Sequence, residues 1–186
     1  MKVIVITGTP GTGKTTIARR LHRQIKGSRL VSANEIIKKG KFYRYVSSDG
    51  AKVADMQKLS YALRNEASKP GRGTLIIEGH LLSDIRIPGA VAIVLREHLA
   101  TLKSRLLRRR YPISKIRDNI VDEAIDYCGV HAAQNYKKVY EFMSDDTKIV
   151  KKLMDIAEGN YKQRNKPISL LGELLDIIKE DRRYAI

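Results

Sequence analysis

The segment Gly8-Thr9-Pro10-Gly11-Thr12-Gly13-Lys14-Thr15 sets glycines and a Lys-Thr pair at the spacing Gly-x-x-x-x-Gly-Lys-Ser/Thr. Glycine lets backbone approach phosphate oxygens that a side chain would fend off, and successive N–H groups at a helix start cradle an anion. Gly8, Gly11, Thr12 and Gly13 then shape the cradle, and Lys14 reaches the β and γ phosphates. The Thr15 hydroxyl ligates Mg²⁺ and Thr16 adds a contact to the α phosphate. A turn that merely joins strand to helix has no use for both Lys14 and Thr15. The segment reads as a phosphate loop for ATP or a close relative.

Such a loop works with an acidic residue at the end of a neighbouring strand, which holds Mg²⁺ through its water shell or orients a nucleophile. Glu78 is that candidate; its bland alternative is an ordinary carboxylate closing a strand. His80, two residues on, is placed to polarise a phosphate or an attacking water near neutral pH, against the plainer reading of a structural histidine. Arg105, Arg108, Arg109 and Arg110 precede Tyr111-Pro112. Mobile arginines neutralise charge in phosphoryl transfer, whereas the alternative is a solvated basic face. The sequence Asn165-Lys166-Pro167-Ile168 begins like a guanine-reading Asn-Lys-x-Asp motif but ends in isoleucine, so guanine selection has no support.

The elements that must position these residues follow from periodicity. Residues 2–7 alternate β-branched side chains as a buried strand does, and residues 14–26 form a helix ended by Gly27. Residues 29–32 read as a second strand, and residues 35–50, polar, basic and tyrosine-bearing, as a surface lobe. A helix over 55–68 stops at Lys69-Pro70-Gly71; strands follow at 74–77 and 90–95, then a helix over 99–110 ended by Pro112. Apolar spacing predicts one further helix over 114–128, interrupted at Gly129, a last strand at 139–142, and amphipathic helices over 147–158 and 170–181. Strands alternating with helices imply an α/β fold with a parallel sheet covered on both faces, the last helix being an appendage.

The 186 residues suit one domain with its own core. A single cysteine, Cys128, forms no internal disulfide and fits a reducing cytoplasmic compartment. The apolar stretch 3–6 is too short for a signal-peptide core, and no run approaches the roughly 18 residues of a membrane span. Lys and Arg number 36 against 20 Asp and Glu, a net charge of +16. Such a field either keeps the surface soluble beside a phosphate site or serves a polyanionic partner, RNA or ribonucleoprotein.

The combined set of Thr7 to Thr16, Ile77-Glu78-Gly79-His80, Val94-Leu95-Arg96, Arg109-Arg110-Tyr111 and Asp118-Asn119-Ile120 resembles the adenylate kinase isoenzyme 6 family. The resemblance covers residues 1–158. It implies a P-loop NTPase three-layer sandwich, nucleoside monophosphate kinase-like, with a parallel sheet of about five strands. It further implies adenylate kinase and ATPase activity, ATP and Mg²⁺ as cofactors, AMP or another nucleoside monophosphate as acceptor, and ribosomal protein S11 (eukaryotic S14) with ribosomal RNA as partners in small-subunit maturation. Carried over by position, Gly11, Gly13, Lys14, Thr15 and Thr16 bind phosphate, Glu78 and His80 form the acidic-x-His signature, and Arg109 is the arginine of a lid motif Arg-Gly-Tyr. The monophosphate lobe falls near residues 32–54, with Asn34, Glu35 and Tyr43 loosely matched, and the lid near 108–118. Glu78 stands where the family commonly has aspartate, Arg110 replaces the lid glycine, and residues 159–186 form a basic helical extension outside the resemblance.

Two classes of function therefore stand: a kinase that passes the γ phosphoryl group to AMP or to water, and an assembly factor whose nucleotide state switches its grip on a ribosomal protein or RNA. A kinase for another small acceptor is a third.

Overall fold

The computed structural model describes residues 1–46, 52–162 and 167–183. Residues 47–51 of the expected lobe, residues 163–166 and 184–186 of the extension, and Asn165 and Lys166 of the guanine-motif comparison lie outside the described residues. Five parallel strands form one sheet: β1 (Lys2–Thr7), β2 (Arg29–Ser32), β5 (Thr74–Glu78), β6 (Val91–Arg96) and β7 (Val139–Met143). Their spatial order is β2-β5-β1-β6-β7. Chain order reverses on either side of β1, so the crevice beyond its carboxyl end is the topological switch point where ligands of open α/β sheets bind. The phosphate loop leaves β1 at that place.

Both faces of the sheet are covered, as continuous apolar strands require. On one face α1 (Lys14–Gln24) and α7 (Ile149–Glu158) bury Ile17, Leu21 and Leu153 against Ile4, Ile6 and Ile93. On the other, α2 (Ala33–Gly40), α3 (Met56–Ser68) and α6 (Tyr127–Asn135) bury Ile37, Leu59, Leu63 and Ala132 against Val5, Leu75 and Ile77. A third cluster joins α4 (Leu99–Arg108), α5 (Ile113–Ala124) and α8 (Leu171–Arg183) through Leu102, Leu106, Ile116, Ile120 and Leu170, with Leu174 and Ile177 packed on it. No helix among the described residues is long and apolar enough to cross a membrane.

Several boundaries differ from expectation. The first helix ends at Gln24, because Ile25 turns to an extended conformation two residues before Gly27. The lobe is not merely polar surface: α2 buries Ala33 and Ile37, and a two-stranded antiparallel hairpin, β3 (Tyr43–Val46) and β4 (Lys52–Ala54), follows. The helix expected over 114–128 is two helices. The chain breaks at Asp126, held left-handed at φ 59°, whose carboxylate accepts the Gly129 N–H at 3.1 Å and caps α6. Gly129 thus lies inside a helix that periodicity did not reveal. The helix expected over 99–110 stops at Arg108, and Arg110 adopts φ 57°. Arginine occupies the left-handed region where the lid motif has glycine, at a cost of about 1 kcal/mol.

Candidate nucleotide site

A cavity of about 470 Å³ opens at the carboxyl ends of β1 and β5, lined on one side by Pro10, Gly11, Gly13, Lys14, Thr15 and Thr16 and on the other by Glu78, His80 and Arg109. The strands set this convergence: β1 delivers the loop, and β5, paired with it through Ile6 and Glu78, delivers Glu78 as its last residue. Two expected loop residues do not line the cavity. The Thr12 hydroxyl is buried and donates to the Thr9 carbonyl at 3.0 Å, closing the loop upon itself. Gly8 instead lies against β6, where a Cβ would strike the Leu95 carbonyl. At Gly11, φ is 102° and a Cβ would come within 2.7 Å of Leu102 Cδ1. Gly8 is thus demanded by packing beneath the loop, and Gly11 by packing there as well as by its place on the cavity wall.

The Thr15 hydroxyl donates to Glu78 Oε2 at 3.0 Å. Two hard oxygen donors are thereby brought together at the mouth of the phosphate cradle, the ligand type that Mg²⁺ takes alongside water and phosphate oxygens. Among the described residues no group of three or more His, Cys, Asp or Glu could hold a metal ion. Two oxygen donors are the number of protein ligands an ion commonly has when water and substrate phosphates supply the rest of its shell.

Lys14 is folded over the loop, its Nζ donating to the carbonyls of Gly8 at 2.8 Å and Thr9 at 2.9 Å. Burial lowers its pKa from 10.5 to about 8, opposed by Cys128, Glu78 and Glu123 nearby, while Arg109 lowers it further. Cys128, itself buried, has its thiol pushed up to about 11 by the same loss of solvent. His80 is brought to the cavity, but its titration falls far from neutrality: burial, with the charge of Lys14 beside it, lowers its pKa to about 4. It is a neutral imidazole at pH 7, able to donate at one nitrogen and accept at the other.

The arginines separate by role. Arg109 is exposed and lines the cavity, together with Tyr111, Lys115 and Asn119. Arg105 instead pairs with the buried Glu97 and donates to the Gly11 carbonyl at 3.1 Å, so it ties α4 to the loop. Arg96 is 1% exposed and meets Glu123 at 3.1 Å, Asp126 at 2.7 Å and Glu141 at 3.2 Å. A charge so buried is tolerable only with this many partners. Nothing in local periodicity marks Arg96 as interior, except that it ends an apolar strand. From the lobe, Asn34 and Lys52 reach the cavity; Lys52 also stands 5.0 Å from the centroid of the Tyr43 ring. Lys52 escaped the sequence reading because it precedes no motif.

A parallel sheet in the order β2-β5-β1-β6-β7 with a phosphate loop at its switch point defines a P-loop protein of the kinase fold. Residues 4–126 match the AAA domain family. A Methanosarcina barkeri protein named "Putative adenylate kinase" is 34% identical over 169 residues, covering 87% of this chain and 91% of that protein. One of the same name from Archaeoglobus fulgidus is 32% identical over 188 residues, covering 97% and 98%, and so reaches into the C-terminal segment. The chain belongs to this archaeal P-loop family. Shikimate kinase from Bacteroides thetaiotaomicron has the same fold at a TM-score of 0.60, with 15% identity over 84% of this chain and 98% of that one.

Proposed function

We propose that the protein is an Mg²⁺-dependent ATP:AMP phosphotransferase with ATPase activity. The observation that carries this reading is the Thr15 hydroxyl bonded to Glu78 at 3.0 Å beside Lys14, His80 and Arg109 in one cavity. The name borne by the archaeal relatives supports the acceptor. Gly11, Gly13, Lys14, Thr15 and Thr16 bind the ATP phosphates. Thr15 and Glu78 would hold Mg²⁺, which supplies charge neutralisation on the β and γ phosphates. An AMP phosphate oxygen forms the new bond to the γ phosphorus as the bond to the β-phosphate oxygen breaks, giving two ADP. Lys14 and Arg109 stabilise the charge that spreads over the transferred group, and neutral His80 orients the acceptor oxygen or, without acceptor, a water. Asn34 and Lys52 face the acceptor side from the lobe.

The net charge of +16 favours a second reading, in which turnover times the release of a ribosomal protein, S11 by the family resemblance, or ribosomal RNA. Affinity for RNA that falls steeply with added salt supports that partner, and no binding at moderate salt removes it. The deciding experiment is steady-state turnover of Mg·ATP with and without AMP, resolving ADP from free phosphate, on wild type and Lys14→Ala. ADP without phosphate, formed only with AMP, establishes the monophosphate kinase. Phosphate release regardless of AMP favours the switch, and normal turnover in Lys14→Ala overthrows the loop assignment.

A further inference from the structure

Resting on the reading of Arg109 as a phosphoryl-transfer residue, we propose that Glu173, from the C-terminal segment, is a positioning residue that fixes the arginine-bearing helix α4 over the phosphate loop.

Helix α4 lacks a cap of its own. The residue before it, His98, makes no side-chain capping bond, and the four first N–H groups of a helix need acceptors. Glu173, on a helix far along the chain, supplies one: its Oε2 accepts the Leu99 N–H at 2.8 Å and its Oε1 pairs with His98 Nδ1 at 2.7 Å. A carboxylate at that end also opposes the positive pole of the helix. The donor segment is itself anchored. Arg96 Nη1 donates to the Ile168 carbonyl at 3.1 Å, and the Ile168 N–H donates to Glu141 at 3.2 Å. Leu170 is buried among Leu99, Leu102, Leu106 and Ile116, with Leu174 and Ile177 packed alongside.

The other end of α4 bears on the site. Leu102 and Leu106 pack directly under Gly11, and Arg105 donates to the Gly11 carbonyl at 3.1 Å. Arg109 follows one turn later and lines the cavity. A ten-residue helix is about 15 Å long and moves as a rod. Loosening its first turn therefore displaces the guanidinium carried at its far end, and misplacement by about 1 Å is enough to slow phosphoryl transfer. The C-terminal segment is on this account a structural part of the lid.

The test uses the full chain and four variants: Glu173→Ala, Glu173→Gln, Arg109→Ala and the Glu173→Ala/Arg109→Ala pair. Hydrogen exchange of the peptide spanning residues 99–106 is read beside kcat and KM for Mg·ATP with AMP. Glu173→Ala should speed exchange at the start of α4 by about tenfold, leave β1 and β5 unchanged, and lower kcat by about fivefold with KM for ATP altered less than twofold. Glu173→Gln, which keeps an acceptor oxygen, should recover most of kcat. In the Arg109→Ala background the same alanine should change kcat no further, because the residue it acts through is gone. Faster exchange with unchanged kcat, or an equal loss of kcat in both backgrounds, overturns the proposal and leaves the functional reading standing. Full turnover in Arg109→Ala alone brings down the functional reading of the lid, and the proposal with it.

Discussion

Replacing Lys14 by methionine should make the nucleotide-free protein more stable while it destroys turnover. The ammonium is buried, and lowering its pKa from 10.5 to about 8 amounts to ~3 kcal/mol of penalty at neutral pH, counting about 1.4 kcal/mol for each tenfold change in proton affinity. Methionine fills similar volume without charge. It forfeits the bonds to the Gly8 and Thr9 carbonyls, which together return about 1–2 kcal/mol. The net gain is about 1–2 kcal/mol at pH 7, or several degrees in Tm for a chain of this size. A lysine with a depressed folded-state pKa is penalised fully below that value. The penalty disappears as pH rises from about 8 towards 10.5, where the unfolded chain also loses the proton. The advantage of Lys14→Met should accordingly shrink across that interval. Urea denaturation at pH 7 and pH 9.5, without nucleotide, measures it. Saturating Mg·ATP should reverse the order, since only the wild type gains from the ligand. A methionine variant that is less stable than wild type at pH 7, or a gap independent of pH, refutes the assignment of a strained, buried cation.

His80→Ala should slow phosphoryl transfer more than it weakens ATP binding, and equal losses in kcat and in ATP affinity would contradict its orienting role. Since the His80 pKa is held near 4, no fall in kcat between pH 8 and pH 6 should trace to its protonation, as a comparison of the pH profiles of wild type and His80→Gln would reveal. Arg110→Gly, which relieves a left-handed arginine, should raise unfolding free energy by about 1 kcal/mol in chemical denaturation, contrary to the usual cost of introducing glycine. Glu123→Gln, at a carboxylate shared by Arg96 and the Glu97 N–H, should cost about 1–3 kcal/mol by the same assay, because a buried guanidinium loses one of its three counter-charges and keeps Asp126 and Glu141.

The sheet was legible because its strands are continuous apolar runs, 74–77 and 90–95 among them, and a parallel sheet buries both faces of every strand. The phosphate loop was legible because glycine, lysine and threonine at fixed spacing have one common use. Glu78 and His80 could be singled out from their place at a strand end, and the structure sets both beside Lys14. The acid-base state of His80 was not legible: it depends first on burial and then on the charge of Lys14, which lies far away in sequence but packs nearby. Helix α6 was hidden for a local reason. Its start is a left-handed Asp126 with Gly129 as the cap partner, and glycine within a helical pattern reads as an interruption. The arginines of α4 share composition but divide in function by direction: Arg105 turns back to Glu97 and Gly11, and Arg109 turns to the cavity. Spacing alone assigns neither. The buried Arg96 network draws on β6, α5, α6 and β7, and no single stretch of sequence contains it.

The bond from Arg105 to the Gly11 carbonyl bears on how the proposed lid could travel. While the first turn of α4 stays held by Glu173 and Arg105 keeps its bond to the loop, lid movement on the proposed reading falls to the few residues between Arg108 and the start of α5 at Ile113. A pivot so short swings through a small arc. On the proposed function, closure would be a matter of one arginine reaching across the opening, a side-chain and loop motion faster than the rocking of whole domains.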